Sequence, residues 1–241
     1  KDLHYGERLA GEAVRTWSGP QAEVLIVTKV GMSRPKGRWV PDGSPAALQK
    51  AVAGSLDALG VERLPVLLLH GVDPRTPLET TLETLAKLQS DGLIGGLGLS
   101  NVSVAETRQA QRWFEVCAIQ NELSVQSRKT ATDGVLDLAQ KLQVPLLAHR
   151  PFGGHAKAKK LVGNRAMKPI VKRYAETSPV WSPFQAALTT LLDQGSHVVP
   201  LLGVTKVETL DEALVAAART LDDQDRAAVA EKISFAPSEL A

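Results

Sequence analysis

Short apolar runs recur along the chain, each followed by a stretch in which apolar residues return every three or four positions. The runs are Val24–Val30, Val66–His70, Ile94–Ser100, Val116–Glu122, Val144–Ala148 and Val198–Gly203. Continuous apolarity over so few residues predicts strands buried on both faces, as in a parallel sheet covered by helices. The stretches between them carry helix punctuation. Ser44-Pro45 pairs an N-cap with proline at the first helical position; Leu48, Val52, Leu56 and Leu59 then share one face, and Gly60 ends the helix. Thr76-Pro77 opens the next, with Leu78, Leu82, Leu85 and Leu88 as its stripe and Gly92 beyond its end. Helices are predicted likewise over Val104–Phe114, Asp133–Leu142, Pro183–Gln194, Val207–Leu221 and Asp223–Ile233.

Such alternation predicts an α/β fold with a parallel sheet. The 241 residues approach the roughly 250 of one (β/α)₈ TIM barrel. Six strands are visible where a closed barrel needs eight, so the first one or two are expected to lie upstream of Lys1. No linker or low-complexity run interrupts the chain, and residues 1–241 read as one domain.

Composition narrows the class. Hydrophobic residues make up 44 % and charged residues 22 %, enough for a sizeable core and against disorder. Net charge is +2 with the signs intermixed, which gives no signal for nucleic acid. No apolar run is long enough for a membrane span. The lone Cys117 rules out an intrachain disulfide and a Cys-based zinc site, and points to a reducing, cytoplasmic setting. The five histidines lack metal-ligand spacing, so no metal is expected and a metal-dependent hydrolase on the same fold is disfavoured.

In this architecture catalytic groups stand at the C-terminal ends of strands. Lys29, His70, Ser100-Asn101 and Gln120-Asn121 are polar residues at four such ends. Each has a bland reading: a solvated lysine, a satisfied core histidine, an Asx turn. Gln-Asn within a strand is harder to explain as packing, because its several hydrogen-bonding groups need partners. Together the four ends read as the walls of one mouth.

The same residues carry a resemblance. Tyr5-Gly6-Glu7 with Glu12, Val27-Thr28-Lys29-Val30, Ser55 to Gly60 followed by Leu67 to His70 and Val72-Asp73-Pro74, Gly92-Leu93-Ile94 with Leu97 to Asn101, Gln120-Asn121-Glu122, Pro151 with Gly153 and Gly154, and Leu202-Gly203 through Glu212 occur in the order of the aldo-keto reductase signatures. The chain resembles that family from Tyr5 to about Ala217.

The resemblance implies NADPH-dependent reduction of a carbonyl, NADH being the less favoured cofactor. Tyr5 would be the general acid, Lys29 the cation that lowers its pKa, and His70 the group that orients the carbonyl. The family's aspartate, five residues before the tyrosine, precedes Lys1; Asp2 has the wrong spacing and is not given its role. Ser100, Asn101 and Gln120 would hold the nicotinamide carboxamide. His149 stands where an aromatic stacks on the nicotinamide, and Arg150, where serine is usual, would reach the pyrophosphate. Gly203, Thr205, Lys206 and Glu212 would serve the cofactor after the last strand, with Thr205 and Lys206 on the 2′-phosphate. Thr209 and Ala213 replace the family's arginine and asparagine.

The substrate is expected to be a small carbonyl compound, with Trp39 and Gly153–Met167 as loops that could touch it. The latter stretch is basic (His155, Lys157, Lys159, Lys160, Arg165) and reads as a solvated, mobile loop, although it could attract an anionic substrate. Trp113 and Trp181 are expected to pack on helices. The alternative function, also implied by the resemblance, is a regulatory subunit that keeps the cofactor pocket and acts through a protein partner.

Overall fold

Backbone pairing turns the apolar runs into strands shorter than the runs themselves. The computed structural model describes residues 4–20, 24–175 and 181–237; Asp2 lies outside them. Contacts divide the chain into two units, Lys1–Ile119 and Gln120–Ala241.

The first unit runs α1 (Tyr5–Thr16), β1 (Val27–Val30), β2 (Met32–Ser33), β3 (Val40–Pro41), α2 (Pro45–Leu59), β4 (Leu64–Leu69), α3 (Leu78–Ser90), β5 (Ile94–Ser100) and α4 (Val104–Ala110), and ends within β6 (Val116–Gln120), whose last residue, Gln120, opens the second. Strands β1, β4 and β5 pair in parallel, with Lys29 opposite Leu68 and Leu68 opposite Gly98. Leu64, Leu67, Leu68, Leu69, Ile94, Leu97 and Leu99 are buried between the faces. Helix α2 begins after Ser44 with Pro45 at its first turn and stops at Gly60, whose φ of 69° lets its N–H reach the carbonyls of Leu56 and Asp57. Helix α4 starts with a capping box between Ser103 and Glu106. Strands β2 and β3 form a small antiparallel hairpin that the hydrophobic pattern did not predict, because two-residue strands are too short to show a period.

Glycines in β5 let the neighbouring backbones close in. A Cβ on Gly98 would sit 2.5 Å from the Ala118 carbonyl oxygen and 2.5 Å from Leu68 Cδ2; one on Gly95 would sit 2.5 Å from the Pro65 oxygen.

The second unit contains α5 (Lys129–Thr132), α6 (Val135–Lys141), β7 (Leu146–Ala148), α7 (His155–Ala158), α8 (Lys168–Arg173), α9 (Pro183–Leu192), β8 (Val198–Pro200), α10 (Val207–Ala217) and α11 (Asp223–Ala230). Strands β7 and β8 pair in parallel. Ser182 and Gln185 box the start of α9. Residues 153–167, expected to be a solvated loop, instead hold α7 and a 3₁₀ turn, with Leu161, Ala166 and Met167 buried beneath them. The apolar residues anchor this segment, while Lys157, Lys159, Lys160 and Arg165 stay exposed. Trp181 is packed as expected: its ring stacks on Tyr174 at 4.7 Å, and the Arg219 guanidinium lies 4.5 Å from it.

Candidate active site

Register places three of the predicted residues on one face of the first unit's sheet. Lys29, Leu68 and Gly98 are neighbours across β1, β4 and β5. Side chains alternate along a strand, so His70 and Ser100, two residues beyond Leu68 and Gly98, return to the Lys29 face. Lys29 is half-buried, and burial pushes its ammonium below the ordinary lysine range. Among the described residues it has no ion-pair partner. The His70 N–H donates to the Val30 carbonyl (2.8 Å), and the Asn101 Nδ2 donates to the His70 carbonyl (2.8 Å) and to Ser100 Oγ (3.1 Å). Asn101 takes a φ of 57°, in the left-handed region, while its side chain holds the His70 carbonyl. Ser100 is fully buried. Trp39, at the end of the hairpin turn, places its ring 5.3 Å from the His70 ring.

Tyr5 is not gathered with them. It is the first residue of α1, not part of a loop, and it is 63 % exposed. Thr28, on the face of β1 opposite Lys29, donates from Oγ1 to Glu7 Oε1 (2.5 Å), which fixes the side of α1 that meets the strand. Two residues before Glu7 is roughly 200° around a helix, so Tyr5 points away from β1. Glu7, not singled out from the sequence as a contact, ties the first turn of this helix to β1, while Arg15 Nη1 ties its last turn to the Leu59 carbonyl (3.1 Å). Burial alone would raise its pKa, but hydrogen bonds from Thr28, Ser55 and His4 outweigh that and hold it below the ordinary carboxylate range.

The base of the Trp39 hairpin is tied to the loop after His70. The buried Asp73 carboxylate accepts from the Arg75 N–H (3.0 Å) and Nε (3.1 Å), the Gly43 N–H (3.1 Å) and Thr76 Oγ1 (3.1 Å). The Arg75 backbone N–H leads in holding this carboxyl far below the usual range, and burial opposes it. Arg75 Nη2 in turn donates to the Pro41 carbonyl. The sequence offered Asp73 only as part of a signature, with no sign that it spans two loops.

In the second unit, Gln120 and Asn121 are buried, and Gln120 Oε1 has no hydrogen-bond partner among the described residues. The His149 N–H donates to the Asn121 carbonyl (3.1 Å), and Glu122 and His149 form a parallel bridge. Arg150 adopts a φ of 53°, with Nη1 3.4 Å from Glu122 Oε2. It lines a cavity of about 580 Å³ that also takes in Gly203, Thr209, Glu212 and Ala213. Thr205 and Lys206 are exposed beside it in sequence, Lys206 in extended conformation as the N-cap of α10. Thus Arg150, Gly203 and Glu212 meet at one cavity, together with the two positions that depart from the family pattern.

Residues 3–234 match the model of the Aldo/keto reductase family. The chain belongs to that family. It is 30 % identical to pyridoxine 4-dehydrogenase of Escherichia coli, over 88 % of this chain and 73 % of that protein. With an uncharacterized oxidoreductase of Schizosaccharomyces pombe it shares 28 % identity over 91 % of its own length and 69 % of the relative's. Among solved structures, a Klebsiella pneumoniae aldo/keto reductase in complex with NADP and acetate superposes with a TM-score of 0.77 at 20 % identity, covering 98 % of this chain and 77 % of that one. The glycerol dehydrogenase of Gluconobacter oxydans gives 0.79 at 24 % identity, covering 95 % and 76 %. The α/β barrel class expected from the strand–helix alternation is therefore the fold of this aldo/keto reductase, and six of its parallel strands lie among the described residues. No helix among those residues is long and apolar enough to cross a membrane.

Proposed function

We propose that the chain binds NADPH and reduces an aldehyde or ketone to the alcohol. The observation that carries this reading is the cavity where Arg150, Gly203 and Glu212 meet, in a family whose relatives include an NADP complex. The orphaned Gln120 Oε1 fits the same cofactor. A buried acceptor without a donor is costly, and a carboxamide N–H would satisfy it. Ser100 and Asn101 are assigned to that carboxamide as well, and His149 to the nicotinamide ring, on the strength of the resemblance. NADPH, when bound, supplies the hydride that goes to the carbonyl carbon; the oxygen then needs a proton.

Negative charge developing on that oxygen is stabilised best by donors fixed in a poorly solvated place. Lys29 is such a group, being half-buried and without an ion-pair partner among the described residues. His70 is held by the Val30 and Asn101 contacts at the adjoining strand end. Tyr5 is assigned the proton, a role that requires the first turn of α1 to bring the phenol in from its exposed position. The lone Cys117 accords with a cytoplasmic setting.

Thr205 and Lys206 are assigned to the 2′-phosphate, at a helix N-terminus where backbone N–H groups favour an anion. Lys206→Ala is expected to weaken NADPH binding about tenfold while NADH changes by less than about twofold, since only NADPH carries the extra phosphate. Fluorescence titration with both cofactors checks this; equal losses would move the phosphate elsewhere. A second reading, a regulatory subunit acting through a partner, is favoured by one feature: Val207, Leu210 and Leu214 form an exposed apolar stripe on α10.

A further inference from the structure

The hairpin beside His70 carries more charge than its fold needs. Arg34, Lys36 and Arg38 fall within five residues at its tip, all exposed, and none has an ion-pair partner among the described residues. The Arg34 guanidinium lies 4.7 Å from the centroid of the Trp39 ring, which itself lies 5.3 Å from the His70 ring. Trp39 is 59 % exposed, so its ring keeps accessible surface beside the His70 ring. The hairpin is not loosely hung. The Asp42 N–H donates to the Gly31 carbonyl (2.9 Å), Ser33 Oγ donates to the Val40 carbonyl (3.1 Å), and the Asp73–Arg75 pair fastens its base to the loop after His70. The turn itself needs left-handed backbone at Lys36 and Gly37, which folds the tip so that Arg34 returns towards Trp39.

Resting on the reading of the chain as a carbonyl reductase, we propose that its substrate is a carboxylate-bearing aldehyde or ketone, with the carbonyl at His70, the carbon frame against Trp39 and the carboxylate on Arg34. The succession of imidazole, indole and guanidinium suits a molecule with a carbonyl at one end of a ring-sized frame and an anion at the other. Lys36 and Arg38 add to the field that draws the anion in. The planar guanidinium presents paired N–H groups to a carboxylate; its Nε already donates to the Gly37 carbonyl (3.4 Å), which steadies it. The basic residues of 153–167 are not needed for this selection.

The test compares 4-carboxybenzaldehyde with its neutral methyl ester, methyl 4-formylbenzoate, in the full chain with NADPH. Three exposed cations are expected to give the acid an advantage of about tenfold in kcat/KM, mainly through KM. In Arg34→Gln that preference should fall to about threefold or less, and in the unaltered chain it should shrink as salt is raised. A wild-type ratio near one, or a ratio that Arg34→Gln and salt leave in place, overturns the proposal. If neither aldehyde is reduced, the reductase reading fails on its own. Calorimetric titration with 4-(hydroxymethyl)benzoate and its methyl ester then decides the recognition question. Tighter binding of the anion that is lost in Arg34→Gln upholds it, and equal binding of acid and ester overturns it.

Discussion

Tyr5→Phe is expected to lower kcat for carbonyl reduction by about two to three orders of magnitude, the range that a positioned general acid contributes, with NADPH affinity close to that of the unaltered chain. The substitution removes one hydroxyl and leaves the ring. A tyrosine titrates near 10, so its proton moves readily at neutral pH only beside a cation, and Lys29 is the cation proposed. The structure makes this a demanding prediction. Tyr5 begins α1 on the side opposite Glu7, and Glu7 is held to β1 through Thr28. For the phenol to act, the first turn must rearrange against the bonds that hold it: the His4 ring meets Glu7, and the His4 carbonyl accepts from the Arg8 N–H (3.0 Å). Single-turnover reduction with each variant separates the possibilities. If Tyr5→Phe reduces substrate at the original rate, the phenol is not the donor. The loss should then appear in His70→Asn, since the imidazole already stands at the strand end.

The second large effect is on stability. Gly98→Ala is expected to cost about 3 kcal/mol or more, the scale of overpacking against atoms that cannot yield. The new Cβ would meet the Ala118 carbonyl oxygen at 2.5 Å, and that oxygen belongs to the neighbouring strand, so relief requires β5 and β6 to separate. Gly6→Ala is the control. A Cβ there meets nothing within 4 Å, and alanine favours α1 by up to about 1 kcal/mol over glycine. Urea denaturation should show a lowered midpoint for the first and an unchanged or raised midpoint for the second. An unshifted midpoint for Gly98→Ala would mean that the strands are not spaced as described.

Why these residues were readable, and others not, follows from what each signal measures. Apolar runs located all six parallel strands, because a strand buried on both faces has to be apolar throughout. Their ends were placed too far out, as at Val24 and Leu25, which are apolar yet exposed. Helix α2 was bounded correctly because Ser44-Pro45 and Gly60 act through local backbone geometry. The start of α1 lacks such a signal, since His4 before it makes no side-chain cap. Lys29, His70 and Ser100 could be picked out because polar residues ending apolar strands must answer to something other than packing, and register brings them to one face. Trp39 could be named only as a loop residue; its contact with His70, like that of Asp73 with Gly43, joins loops far apart in sequence, and no period records such contacts. Residues 153–167 misled in the opposite way. Their charge is plain in the sequence, whereas the few buried residues that anchor them, such as Leu161 and Met167, are visible only in the fold.

The central claim is that this chain holds NADPH, and the most direct measurement is a titration of the purified protein with NADPH and with NADH, followed by tryptophan quenching and cofactor fluorescence. Saturable binding is expected, with a Kd of order micromolar, about −8 kcal/mol, tighter for NADPH and weakened when Gln120 is changed to Leu. No binding by a folded, monodisperse sample would contradict it. The cavity at Arg150 would then not be a cofactor site, and the partner-binding reading carried by the α10 stripe would take its place.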